Sequence, residues 1–291
     1  MQYNEIKTKN QGKISMENYT VNVITSFAAC EAYVKDFCAD NRFSAPMLSN
    51  DEQLKCNLIK AIETSDEYAV IGIYKSQRMV GLFSFLTLKD EKYLEMLVGL
   101  SRDAAAYCEM LDYLKAHFAD YRADFIFNPN NDLLLSCLRQ RGADFDAEQQ
   151  KMIYRHSAPA VDTTGIELLA EPYIPAYLEM HNTDMYWTGD KVIEARDRFR
   201  TLVALERGCV VGYLDVTYTF EENEPFDLLV KQAYRRKGYG RRLLAKALEM
   251  NGSKGMMLLV DIDNIAAIRL YESLGFEKAE NQNSLVAHLK I

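Results

Sequence analysis

Residues 226–244 read FDLLVKQAYRRKGYGRRLL. The stretch opens as an apolar strand, gathers Arg235, Arg236, Lys237, Arg241 and Arg242 around Gly238 and Gly240, and closes as an apolar-periodic helix. It is the densest positive cluster in a chain whose formal net charge is −8. A helix start exposes unpaired N–H groups at the positive end of its dipole, so it attracts anions. Glycines at 238 and 240 remove side chains where an anion must approach the main chain closely. The segment reads as a phosphate-binding turn; a solvated basic helix face is the competing reading. It is neither common nucleotide loop, because it lacks the third glycine of GxGxxG and the Lys-Ser/Thr that ends a P-loop.

Working outward, residues 165–291 alternate strands and helices. GIELLA is a strand, PYIPAYLEMH and GDKVIEARDRF are helices, and RTLVALERGCVVGYLDVTYTF is a hairpin turning at Arg207-Gly208. PFDLLV is a strand, RRKGYGRRLLAKALEM a helix, GMMLLVDID a strand and NIAAIRLYESLG a helix closed by glycine. Such alternation predicts an α/β layer arrangement. The first half echoes it. YAVIGIYKSQRMVGLFSFL matches the hairpin, and NDLLLSCLRQRG (131–142) lies 133 residues before NIAAIRLYESLG (264–275). We read an internal duplication, with RHSAPAVDTTG (155–165) as the linker and domains at 1–156 and 157–291.

The two motifs R-x-x-G-x-G at Arg235–Gly240 and N-x-x-A-x-x-x-Y-x-x-x-G-F at Asn264–Phe276 resemble the cofactor motifs of the GNAT superfamily of acyl-CoA-dependent N-acyltransferases. The resemblance is specific over residues 201–280. The tandem layout is similar to that of mycothiol synthases. It implies two GNAT-like domains, each a twisted mixed β-sheet (α+β in character) flanked by helices, with acetyl-CoA as cofactor.

It further implies that the strand Leu228, Leu229 and Val230 pairs with the pantetheine arm, and that an N–H near Leu229 or Val230 polarises the thioester carbonyl. Such an oxyanion-hole donor contributes about 3 kcal/mol by analogy. Arg235, Arg236, Lys237, Gly238, Tyr239, Gly240 and Arg241 are expected around the pyrophosphate. Asn264 is read both as a helix N-cap and as a contact to the pantetheine arm. Tyr271, two turns further along the helix, is implied as the general acid that protonates the departing thiolate. Asp227 is the first candidate for the base that deprotonates the acceptor, followed by Glu224, Glu222 and Asp215. No covalent intermediate is needed, so direct transfer in a ternary complex is expected.

The first half departs from the motif. On the 133-residue shift Ala105 falls under Gly238, Tyr107 under Gly240 and Leu138 under Tyr271, although Arg102 and Asn131 match Arg235 and Asn264. It is therefore expected neither to bind acyl-CoA nor to catalyse, but to wall the acceptor site. The acidic tip FEENEPFD points to a small primary amine, and Tyr186 and Trp187 either enclose that amine or plug the gap between two helices. A protein lysine or N-terminus as acceptor, and a non-catalytic acyl-CoA sensor, are the alternatives.

Other classes are disfavoured. The negative charge argues against nucleic acid. Neither a membrane span nor a signal peptide is read in the sequence, which gives a cytoplasmic expectation. The six cysteines and four histidines lack ligand spacing, so reduced thiols and no metal are expected. Nothing in the sequence indicates an oligomer.

Overall fold

The structure is a computed structural model that describes residues 19–38, 40–43, 51–155, 160–181, 183 and 187–291. The first half opens with β1 (Tyr19–Val23), α1 (Glu31–Lys35) and α2 (Asp51–Glu63). It continues through β2 (Tyr68–Lys75), β3 (Arg78–Leu88), β4 (Tyr93–Ser101) and α3 (Ala104–His117). It ends with β5 (Arg122–Phe127), α4 (Asp132–Gln140), β6 (Asp144–Phe145) and β7 (Gln149–Tyr154). The second half repeats that order with β8 (Ile166–Leu168), α5 (Ile174–Met180), α6 (Gly189–Glu194), β9 (Phe199–Glu206) and β10 (Cys209–Thr217). A strand interrupted into β11 (Glu222–Asn223) and β12 (Pro225–Val230) follows, then α7 (Tyr239–Asn251) and β13 (Gly255–Asp261). The chain closes with α8 (Ile265–Glu272), β14 (Phe276–Lys278) and β15 (Leu285–Lys290).

The repeat has local causes. Both hairpins turn on two left-handed residues, Ser76-Gln77 (φ 49° and 67°) and Arg207-Gly208 (φ 52° and 78°), which suits the strand twist. The helix after each long parallel-type strand is capped by an asparagine. Asn131 accepts from the Leu134 N–H at 3.2 Å and Asn264 from the Ala267 N–H at 3.1 Å. The 133-residue shift thus holds at β5 and α4, whose counterparts β13 and α8 start at 255 and 265.

The sheets are mixed, as expected, but each half completes the other. The seven-stranded sheet runs β1-β2-β3-β4-β5-β15-β6, so the last strand of the chain lies between β5 and β6. In return β7 lies between β13 and β14. Side-chain alternation explains why the exchange holds: Leu285 and Ala287 enter the first core, and Met152 enters the second. His288 fastens β15 by pairing with Asp124 at 2.6 Å and Asp146 at 3.1 Å. The expected boundary at 156/157 lies outside the described residues, and hydrogen-bonded strands cross it in both directions. Among the described residues no helix is long and apolar enough to cross a membrane.

One break positions the site. In the first half β4 and β5 pair in parallel from Tyr93/Arg122 to Met96/Phe125. In the second half β11 pairs with β13 only at Glu222/Gly255 and Asn223/Met256. The chain then passes through Pro225, which has no N–H to donate, and β12 continues as an edge strand paired only with β10 among the described residues.

Candidate functional site

The ladder parity decides which main-chain groups of β12 are free. The Lys231 N–H donates to the Val211 carbonyl at 2.9 Å, so residues 231, 229 and 227 direct their main-chain groups toward β10. Those of Leu228 and Val230 face the opening toward β13. Of the two N–H groups expected to polarise a carbonyl, that of Val230 faces this opening; that of Leu229 is turned to β10, and its side chain packs in the core beneath α5.

After β12 the loop turns through Arg236 (φ 65°) and Gly238 (φ 87°), and α7 starts at Tyr239, later than the sequence pattern suggests. A left-handed arginine is a strained backbone position, which fits a loop shaped for a ligand. Gly238 is the N-cap of α7 and supplies no side-chain acceptor, so the first-turn N–H groups stay open at the positive helix end. A Cβ on Gly240 would lie 3.4 Å from Leu270, 3.9 Å from Leu228 and 4.0 Å from Val230. It would fill the groove between the β12 edge and α8.

The cations divide into two groups. Arg235 donates through Nε to the Val230 carbonyl at 3.0 Å, and Arg241 approaches the Ser273 carbonyl at 3.5 Å. Arg242, a member of the same positive cluster, is committed to the Thr164 carbonyl at 2.9 Å and lies over Tyr239. Arg236 and Lys237 have no carboxylate partner among the described residues; the Lys237 ammonium rests 4.9 Å from the Tyr234 ring. Tyr239 itself is buried in the second core.

Asn264 spends its Oδ1 on the cap and keeps its amide N–H groups, so capping and ligand contact are compatible. Tyr271 packs edge-on to Phe276, and its hydroxyl pairs with no described residue. Burial, and then the nearby charges of Asp227 and Glu224, push the phenol up to about 12, which keeps it protonated.

The candidate bases separate clearly. Asp215 is fully buried and accepts from Tyr177 at 3.0 Å, from His181 Nε2 at 3.0 Å and from Thr201, out of reach of an acceptor. Asp227 accepts from the Tyr213 hydroxyl at 2.6 Å and has His181 Nε2 at 3.7 Å. His181, Asp215 and Asp227 are close enough to converge on a cation, yet their pairing to tyrosine and threonine hydroxyls reads as a hydrogen-bond network. Glu224 is different. It lines a cavity of about 450 Å³ together with Glu222, Arg198, Phe220 and Met257. Burial pushes its carboxyl up to about 7, against the pull of Arg198 and Lys151. Lys151, on the exchanged β7, is itself buried, and that burial pulls its ammonium down. Trp187 stacks edge-on to Phe199 at 5.0 Å, which fits the plug; Tyr186 lies outside the described residues.

The opposite wall of the cavity comes from the first half: Asn57, Lys60, Tyr68 and Glu95. The sequence pattern missed this pairing, and also His181 and Lys151, because each meets its partners only across an exchanged sheet or a helix-sheet contact.

The corresponding place in the first half is closed. Its loop between strand and helix is residues 102–103, against 231–238, so the 133-residue shift fails there. Asp103, not Ala105, occupies the N-cap place of Gly238, and its carboxylate accepts from the Ala105 N–H at 2.9 Å. The fully buried Tyr107 bonds to the Ser101 carbonyl at 3.1 Å and takes the Asn131 amide at 2.9 Å. Arg102 lies over Phe37 at 4.0 Å and donates to the Asp36 carbonyl.

Residues 166–276 match the model of the acetyltransferase (GNAT) family. It is 34% identical over 86 residues to a [ribosomal protein bS18]-alanine N-acetyltransferase of Escherichia coli, a match covering 28% of this chain and 58% of that protein. Another relative, an uncharacterised protein of Mycobacterium leprae, is 42% identical over 74 residues, or 24% of this chain and 20% of that protein. The chain thus spans less than two thirds of either relative. The fold as a whole is similar to a GCN5-related N-acetyltransferase from Sphaerobacter thermophilus, at TM-score 0.67 and 13% identity over 94% of this chain and 95% of that one. It is also similar to a tandem GNAT protein from the clavulanic acid biosynthesis pathway, at TM-score 0.59 and 13% identity over 94% and 98%.

Proposed function

We propose that the second half is an acetyl-CoA-dependent N-acetyltransferase acting on the primary amine of a small molecule by direct transfer. The observation that carries this reading is the bare start of α7 beside the unpaired edge of β12, set against the same place in the first half, which Asp103 fills. Gly238, Gly240 and the first-turn N–H groups of α7 hold the pyrophosphate, with Arg236, Lys237, Arg235 and Arg241 around it. Leu228, Val230 and the Asn264 amide line the pantetheine arm. Bound acetyl-CoA supplies an acetyl group already activated as a thioester.

Glu224 takes the proton of the acceptor ammonium, because a carboxyl near neutrality suits a general base and it faces the acceptor cavity. Asp227 supports this region through Tyr213 and His181. The Val230 N–H, which faces the opening toward β13, would polarise the thioester carbonyl of a bound acetyl-CoA. Tyr271 gives its proton to the departing thiolate. The first half walls the acceptor site, and the chain works as a cytoplasmic enzyme. A protein N-terminus is the second reading, favoured by the name of the Escherichia coli relative.

A thiol-release assay over pH tests the assignment of the base. The rate should fall below a limb near pH 7, where Glu224 gains its proton. Glu224→Gln should remove that limb and lower kcat about 10²–10⁴-fold. A limb unchanged in the variant refutes the assignment.

Calorimetry tests the cofactor cradle. One coenzyme A should bind per chain. Gly238→Asp should weaken binding at least about tenfold with the fold intact, since it adds a carboxylate, on a strained left-handed backbone (φ 87°), at the open start of α7. Two molecules per chain, or unchanged affinity in the variant, would contradict this.

A further inference from the structure

We infer that the acceptor carries an anionic group, a carboxylate or a phosphate, besides its amine, and that Arg198 and Lys60 hold it across the cavity between the halves. The inference rests on the transferase reading and adds the acceptor's chemical class.

The cavity wall carries both charges. Glu222, Glu224 and Glu95 supply the acids; Arg198 from the second half and Lys60 from α2 of the first supply the cations. A site for a simple alkylamine or polyamine gains nothing from two cations, which repel an ammonium unless the same molecule brings a matching anion.

Arg198 is held for such a contact. Its guanidinium lies 4.9 Å from the Trp187 ring centre and 5.5 Å from those of Phe199 and Phe220. It forms no ion pair with a described carboxylate. Stacking of this kind fixes the guanidinium plane and leaves its N–H edge free for a carboxylate or phosphate. The residue's own carbonyl accepts from the Tyr218 N–H at 3.2 Å, which anchors its main chain at the cavity rim. Lys60 reaches in from an exposed helix face, its ammonium 5.9 Å from the Tyr68 ring.

About 450 Å³ suits one metabolite-sized molecule. With the ammonium at Glu224 and the anion at Arg198, such a molecule bridges the cavity and presents its amine toward the β12 edge. Both halves take part, the second with the base and one cation, the first with the other cation.

Thiol release from acetyl-CoA by the full chain tests this with paired amines: lysine against cadaverine, ornithine against putrescine, and glucosamine 6-phosphate against glucosamine. In at least one pair the anionic member should have about tenfold or greater kcat/KM, and which pair responds separates carboxylate from phosphate. Arg198→Met should lower kcat/KM for that member at least about tenfold more than for its neutral partner, chiefly through KM, and Arg198→Lys should recover part of the loss. Lys60→Met, on a solvent-facing helix, should erode the same preference. Turnover that is equal or greater with the neutral members overturns the inference alone, as does an equal loss on both members in Arg198→Met. No turnover with any of the six amines, in protein that binds coenzyme A, overturns the small-amine reading and this inference with it.

Discussion

Tyr271→Phe should lower kcat about 10²–10⁴-fold while leaving coenzyme A affinity within about twofold. The phenol is placed to donate. Its hydroxyl has no partner among the described residues, burial and two nearby carboxylates hold its proton on, and it stands on α8 beside the edge of β12. Phenylalanine keeps the ring contact with Phe276, so stability should change by less than about 1 kcal/mol. Only the proton is lost. The same variant separates an enzyme from a cofactor sensor, because a sensor never expels a thiolate. Equal turnover in wild type and variant would remove Tyr271 from the chemistry and favour the sensor. A fall in coenzyme A affinity matching the fall in rate would make it a binding residue instead.

What was legible in the sequence was whatever depends on neighbours along the chain. The turn at Arg207-Gly208, the caps at Asn131 and Asn264 and the glycine-marked start of α7 are local, and each reads from a few residues. That the first half departs from the glycine pattern was also legible, since neither Gly238 nor Gly240 has a glycine counterpart there. Its details were not: a shortened loop moved Asp103 into the capping position, and an ungapped comparison cannot register that. The different surroundings of the candidate bases were illegible for a related reason. FEENEPFD presents four acids in eight residues, and only strand parity and the meeting of β10 and β13 with the first half show that Asp227 meets Tyr213 while Glu224 meets the cavity. The exchange of β7 and β15 was invisible, because two duplicated halves offer nearly equivalent places to each other's last strand. Hydrophobic alternation specifies a face, not which copy of the sheet receives it.

Ala287→Asp should unfold both halves in a single transition, or leave the chain insoluble. Ala287 has no exposed surface and stands on β15 between β5 and β6, so an added carboxylate has neither solvent nor a cation to meet. An unpaired buried charge costs several kcal/mol, comparable with the whole stability of an ordinary domain, about 5–15 kcal/mol. Expelling β15 instead would strip Leu285 from the first core and leave the edges of β5 and β6 unpaired. The damage should not stop there. The first half supplies β7, whose Met152 fills the core under α7 and whose Lys151 faces Glu222 and Glu224. Loosening the first half therefore loosens the strand against β13, and coenzyme A binding at the far site should fail together with it. Fragment 160–291, expressed alone, meets the same problem from the other side: it lacks β7 and carries an orphaned β15. We expect it to show no cooperative melting and no coenzyme A binding, and co-expression with 1–159 to restore both. Should the isolated fragment melt cooperatively and bind coenzyme A as tightly as the full chain, the exchanged strands would be an ornament of the duplication, and the second half would be self-sufficient.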